Sequence, residues 1–173
     1  MNYTDKAING YLPTYLDLAN KIGTQGSVLE LGIDQGGSLE LWLSLFPDGV
    51  VVGVDHNPDV VVPKGTYSCI MAQDNPKLPE ALQEWAPFNL IVDDASHQAG
   101  PTLRSLRLLW PLVIPGGWYV IEDWGVAFRH RAPMYEPEML DVARDLIIWF
   151  GNPNPSVASI TYKPGLIILE KVT

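Results

Sequence analysis

Two apolar runs in this chain stop abruptly in pairs of acids. Phe88-Asn89-Leu90-Ile91-Val92 runs into Asp93 and Asp94, and Gly117-Trp118-Tyr119-Val120-Ile121 runs into Glu122 and Asp123. Between them Leu103, Leu106, Trp110 and Val113 keep a helical period. Strand, helix and strand in that order make parallel neighbours, so both strand ends emerge on one edge of a sheet. The two acidic pairs and His97, the end of an Asp93-Asp94-Ala95-Ser96-His97 block, then converge there. That combination suits a hard cation and a base.

The rest of the chain repeats the alternation. Leu12, Tyr15, Leu16, Ala19 and Ile22 share a helical face, with Pro13 suited to the first turn. Ser27 to Leu31 reads as a buried strand, and Ser38 to Phe46 as a helix stopped by Pro47-Asp48-Gly49. Val50 to Val54 is a second strand, ending at Asp55, and Thr66 to Met71 a third; Pro58 to Pro63 leaves room for little more than a loop. Pro79 to Trp85 makes a short helix, Phe88 to Val92 the fourth strand and Trp118 to Ile121 the fifth. Met139, Ala143, Leu146, Ile147 and Phe150 mark a last helix, with Gly151 as its stop. Val157 to Tyr162 and Leu166 to Leu169, joined across Lys163-Pro164-Gly165, form a closing hairpin. The expectation is a three-layer α/β sandwich with a mostly parallel, seven-stranded sheet and a C-terminal antiparallel hairpin. Ligands of such sheets bind beyond the carboxyl ends of the strands.

With 173 residues and no internal repeat or linker, one domain over 1–173 is expected. A net charge of -9 is a poor match for nucleic acid or an anionic membrane surface. The single Cys69 excludes an internal disulfide and a multi-cysteine metal site. No basic segment followed by an apolar one opens the chain, and no apolar run reaches bilayer length. A soluble, cytoplasmic protein is expected, with homo-oligomerisation left open.

Glu30-Leu31-Gly32-Ile33-Asp34-Gln35-Gly36-Gly37-Ser38 follows the first strand and opens a helix. Glycines there let the backbone turn tightly and approach a ligand. Asp55, ending the next strand, stands where a carboxylate can accept both hydroxyls of a ribose. The spacing is not the dinucleotide G-x-G-x-x-G, and no Gly-Lys-Ser/Thr of a P-loop follows. Alone, these glycines make only a tight turn; Asp55 turns the pattern toward a nucleoside.

Taken together, Glu30 to Ser38, Val54-Asp55, Asp93 to His97 and Pro115-Gly116-Gly117-Trp118-Tyr119-Val120-Ile121-Glu122-Asp123 resemble the class I S-adenosylmethionine-dependent methyltransferases. More narrowly, the chain is similar to the metal-dependent O-methyltransferases of macrolide sugars and to cephalosporin-hydroxylase-like proteins. The closing hairpin extends the likeness over nearly the whole chain. The resemblance implies a Rossmann-like fold in which Glu30, Gly32 and Gly36 border the methionine end of the cofactor and Asp55 holds the ribose. Asp74, after strand three, would lie near adenine; a plain turn aspartate is the equal alternative. It further implies that Asp94, Glu122 and Asp123 ligate magnesium and that His97 is the base. Asp34 departs from the usual loop, standing at its middle glycine, and the chain is short for the group. Recognition of a macrolide therefore does not carry over.

The chemistry has a use for each group. Magnesium prefers about six oxygen ligands and usually keeps exchangeable positions. Three carboxylates leave places for substrate oxygens, and binding lowers a hydroxyl pKa. A histidine can then take the proton near neutral pH. Plainer roles exist for the same residues. Asp93, Asp94 and Ser96 can cap the helix that follows, and a lone histidine usually packs or faces solvent. Adjacent Glu122 and Asp123 point to opposite faces unless the strand ends between them, and spacing alone does not choose between Asp93 and Asp94 as ligand. Trp124, Phe128, Arg129, His130, Arg131 and Tyr135 can line an acceptor pocket or form a surface loop with snorkelling arginines.

The expected function is transfer of a methyl group from S-adenosylmethionine to a hydroxyl of a small molecule, with magnesium as cofactor. Two competing readings are an NAD-linked oxidoreductase on a similar fold, which the glycine spacing opposes, and a non-catalytic cofactor-binding module, which the joint presence of metal and base residues opposes.

Overall fold

The computed structural model describes residues 4–125, 139–151 and 156–173. Helix α1 (Leu12–Ile22) precedes β1 (Ser27–Leu31), α2 (Gly37–Leu45), β2 (Val50–Asp55) and β3 (Tyr67–Ile70). Then come α3 (Leu78–Ala81), β4 (Phe88–Asp93), α4 (Ala99–Leu109), β5 (Val113–Glu122), α5 (Met139–Gly151), β6 (Val157–Lys163) and β7 (Leu166–Lys171). The strands form one seven-stranded sheet in the order β3-β2-β1-β4-β5-β7-β6. The first five are parallel, and the terminal hairpin joins through β7, antiparallel to β5. The order reverses between β1 and β4, so the crevice of the fold opens above their carboxyl ends.

Strand alternation divides the core between the two faces. Leu29 and Leu31 of β1, Ile91 of β4 and Tyr119 and Ile121 of β5 pack with Leu106 and Leu109 of α4 and Val142 and Leu146 of α5. Val28, Leu90, Val92 and Val120 face the other way, onto Tyr15 and Leu18 of α1 and Leu39 and Trp42 of α2. Both faces of the central strands are covered, which is why they read as continuous apolar runs rather than alternating ones.

Several boundaries differ from the sequence expectation. The third helix has four residues, ending before Trp85. Helix α4 begins at Ala99, and its last expected turn is a 3-10 helix, Trp110–Leu112, because Pro111 cannot supply a helical N–H. Strand β5 starts at Val113 and reaches full register with β4 only at Trp118, after an irregularity that contains the positive-φ Gly116. On α1 the buried residues are Tyr15, Leu18 and Ala19, and Leu16 is exposed. On α5 Ile147 and Phe150 face outward while Met139, Val142, Ala143 and Leu146 are buried. The segment between β2 and β3 is a loop, as expected.

The turn after β1 makes one demand that only glycine meets. Gly32 has φ +97°, and a Cβ there would overlap the backbone carbonyl of Asp94. The two strand ends are tied at this point, with Asp94 N–H donating to Leu31 O at 2.9 Å and Gly32 N–H to Val54 O at 2.8 Å. Gly32→Ala should therefore cost roughly 2–5 kcal/mol, from overpacking plus left-handed strain. A thermal melt should show Tm lowered by about 5–20 °C. A melt matching that of the unmodified protein would contradict the close approach of the two strand ends.

Candidate active site

A cleft of about 570 Å³ lies over the β1/β4 divide, lined by Gly32, Asp34, Asp55, Asp74, Asp94 and His97 among others. Asp55, at the end of β2, accepts from Ile33 N–H at 2.9 Å through Oδ2 and from Asn57 N–H at 2.8 Å through Oδ1. Burial works to raise its pKa, but the N–H groups of Asn57, Ile33 and Asp34 outweigh this and hold the carboxyl below its ordinary value. An ionised Asp55 thus sits on the glycine turn with lone pairs to spare. Gly36 lies at the start of α2 with φ +74° and packs on the Val61 carbonyl. Asp74 also reaches the cleft, where its Oδ2 takes the Arg104 guanidinium at 2.7 and 2.8 Å.

The two carboxylates that end β4 go to opposite faces. Asp93 continues the strand and turns under the α4 face, where it is buried. Its oxygens accept from Ser105 at 2.6 Å, Gln73 Nε2 at 3.0 Å and the Tyr119 hydroxyl at 3.1 Å. Burial pushes the Asp93 carboxyl up to about 6, against the lowering effect of the Ser105 and Tyr119 hydrogen bonds. Gln73 also accepts from Ser96 N–H at 3.0 Å, so this buried network holds the loop that carries His97. Asp94 faces the cleft.

At the end of β5 the same rule acts once and is then broken. Glu122 is the last strand residue and points to the α1/α2 face, fully buried. Asp123 has φ +53°, so the chain leaves the strand and its side chain turns back. A ligand atom from each of Asp94, His97 and Asp123 lies within 4.8 Å of the others. His97 Nε2 is 3.8 Å from Asp94 Oδ1. His97 itself has φ +51° and Asp34 φ +46°; with Asp123 these are the non-glycine residues of positive φ among the described residues. All three stand at the carboxyl edge of the sheet, where backbone strain concentrates at functional sites.

Glu122, expected as a third metal ligand, is buried with one carboxylate oxygen already engaged. Its Oε1 accepts from the Tyr15 hydroxyl and pairs with Lys6 Nζ at 2.8 Å. Lys6 also pairs with Glu30 Oε1 and Asp94 Oδ2, each at 3.0 Å. Glu30, expected to border the methionine end of the cofactor, is buried and takes a second bond from Trp42 Nε1 at 3.0 Å. Burial raises the pKa of both Glu30 and Glu122, and Lys6 opposes the rise in each. One ammonium cannot offset three carboxylates that share a poorly solvated space. Tyr11, just before α1, donates to Asp123 Oδ1 at 2.5 Å. Lys6, Tyr11 and Tyr15 were invisible as site residues in the sequence: nothing in an N-terminal lysine or in two tyrosines on a helical period marks them as partners of acids 24 to 116 positions away. Trp124 N–H donates to Lys163 O at 2.9 Å, whereas Phe128, Arg129, His130, Arg131 and Tyr135 lie outside the described residues.

Residues 29–124 match the family model of a methyltransferase domain. The chain belongs to this family. The methyltransferase domain is 39% identical over 110 residues to the 8-demethyl-8-(2-methoxy-alpha-L-rhamnosyl)-tetracenomycin-C 3'-O-methyltransferase of Streptomyces olivaceus, covering 58% of this chain and 28% of that protein. It is 34% identical over 113 residues to the mycinamicin VI 2''-O-methyltransferase of Micromonospora griseorubida, covering 60% and 28%. The chain therefore spans well under half the length of these curated relatives. In structure it is similar to MycE, a methyltransferase of the mycinamycin biosynthetic pathway solved in complex with Mg and SAH, with TM-score 0.79 and 26% identity over 94% of this chain and 49% of that one. The Rossmann-like methyltransferase fold expected from the sequence is thus the fold observed. Among the described residues no helix is long and apolar enough to cross a membrane.

Proposed function

We propose that this methyltransferase domain transfers the methyl group of S-adenosylmethionine to a hydroxyl of a small molecule, with magnesium as its metal. The observation that carries the reading is one cleft with the glycine turn and Asp55 on one side and Asp94, His97 and Asp123 on the other. The names of the two relatives specify O-methyl transfer, one of them on a rhamnosyl-bearing compound, so a sugar hydroxyl is the first acceptor to try. A net charge of -9 favours neither nucleic acid nor an anionic membrane as partner, and we place the protein in the cytoplasm.

The residues fit both S-adenosylmethionine and magnesium. Asp55 would accept the ribose hydroxyls, and the Gly32 turn would let the methionine end approach β1 closely. Asp74, already paired with Arg104, would border the adenine. For the metal, Asp94, Glu122 and Asp123 would each offer an oxygen not taken by Lys6, Tyr15 or Tyr11; magnesium usually keeps further positions for water and substrate. When bound, magnesium would lower the pKa of an acceptor hydroxyl and fix its direction. His97, at the same opening, would take the hydroxyl proton while the cleft walls align the acceptor with the methyl group.

Calorimetry with S-adenosylhomocysteine tests the cofactor half of this reading. Asp55→Ala should weaken binding about tenfold to a hundredfold, the loss expected for hydrogen bonds to a charged group. NADH should give no heat under the same conditions. Equal affinities in the two proteins would remove Asp55 from the site, and binding of NADH in place of the sulfur compound would overturn the methyltransferase reading.

A further inference from the structure

Gln73 belongs to no motif of the sequence, yet it is buried and both ends of its carboxamide are committed. Its Nε2 donates to Asp93 Oδ1 at 3.0 Å and lies 3.3 Å from Ser105 Oγ, and its Oε1 accepts from Ser96 N–H at 3.0 Å. One side chain thus joins the loop after β3 to the loop after β4, at the residue before His97. We propose that Gln73 is a positioning residue. By tying Ser96 N–H to buried Asp93, it sets the direction from which the His97 imidazole enters the cleft. The inference rests on the reading of His97 as the base.

Three observations support it. His97 has φ +51°, a conformation that a residue other than glycine keeps only where its surroundings hold it. The loop is fixed on one side by Asp94 N–H to Leu31 O at 2.9 Å and on the other by Thr102 N–H to Gln98 O at 3.0 Å. Ser96 N–H lies between these ties, and its partner comes from a different loop. Next, the far end of the bridge is itself immobile. The Asp93 carboxylate also accepts from Ser105 at 2.6 Å and from the Tyr119 hydroxyl at 3.1 Å, so it cannot swing to follow a displaced Gln73. Finally, α4 grips the Gln73 loop at two successive residues. Arg104 pairs with Asp74 at 2.7 Å, and Ser105 lies beside Gln73. The chemistry of the bridge is also specific. Ser96 N–H needs an acceptor and the Asp93 carboxylate needs a donor, and one amide supplies both.

The test is NMR of the full chain labelled in its histidine rings, without ligand. The His97 signals, among those of three histidines, are the ones lost in His97→Asn. Gln73→Met keeps the length of the side chain and removes both hydrogen bonds. Gln73→Asn is one methylene too short to reach both partners, and it serves if the methionine variant does not fold. In either variant the His97 ring signals should move or double while those of His56 stay. S-adenosylhomocysteine affinity should stay within about threefold, and turnover should fall about tenfold to a hundredfold, the cost of a misplaced reacting group. In a His97→Asn background the same substitution should cost less than about threefold, because the group it positions is already gone. Unmoved His97 signals in a folded variant of lowered Tm would make Gln73 a packing residue and overturn the proposal. Unmoved signals with weakened S-adenosylhomocysteine binding would make it a cofactor contact and overturn it too, as would an equal loss of turnover in both backgrounds. Displaced His97 signals in a chain that does not bind S-adenosylhomocysteine would uphold the seat of His97 and sink the methyltransferase reading instead.

Discussion

Replacing His97 should lower turnover roughly a hundredfold to ten-thousandfold, the range typical for removing a general base, while S-adenosylhomocysteine affinity stays within about threefold. His97 is partly exposed, with 32% of its side chain accessible, and stands on the cleft side of the loop after β4. A packing role would bury it. Its φ of +51° shapes the choice of variant. Alanine in that conformation carries a backbone penalty, whereas asparagine tolerates it, so His97→Asn separates loss of the base from loss of the loop. The defect should shrink for an acidic acceptor such as a nitrocatechol, whose hydroxyl ionises without help. Full turnover in folded His97→Asn would assign the proton to another group. A parallel loss of Mn²⁺ affinity would instead make His97 a ligand, a role its distance to Asp94 and Asp123 also permits.

The second large effect belongs to Asp123. Asp123→Asn should weaken Mg²⁺ or Mn²⁺ binding at least tenfold and bring turnover close to that of the protein in excess EDTA. The substitution is mild in every other respect. Asparagine suits the φ of +53°, and its carbonyl oxygen can still accept from Tyr11, which donates to Asp123 Oδ1 at 2.5 Å. Tm should therefore move by no more than about 3 °C, a surface-sized change of under 1 kcal/mol. Magnesium should restore the unmodified protein after chelation but restore the variant only at much higher concentration. Activity that persists through complete chelation would sink the metal-dependent mechanism, and a collapsed Tm with unchanged ion affinity would make Asp123 a structural residue only.

Much of the fold was legible because its signals are local. Buried parallel strands require apolar runs, and the runs ending at Leu31, Asp55, Asp93 and Glu122 gave the strands their places. The parallel order then required that their ends share an edge. What failed were boundaries set by neighbours. Trp110 and Val113 fit a helical period, yet Val113 is drawn into the sheet by its pairing with Phe88, and a periodicity argument contains no term for a distant partner.

The sequence by itself determined the architecture and the edge where the chemistry lies, because strand period, crossover and glycine turn act over a few residues. It also carried Asp55 and His97 to that edge. Only the tertiary structure decided what each acid does there. Asp93 and Asp94 are adjacent in sequence, but one is captured by Ser105, Gln73 and Tyr119 and the other is left to the cleft. Glu122 and Asp123 are likewise adjacent, but Lys6 and Tyr15 hold one oxygen of the first and a left-handed turn returns the second. Carboxylates are alike in their own chemistry. Their roles differ because burial and opposing charge come from segments far away in the chain, and those partners meet only once the sheet and α1 have closed on them.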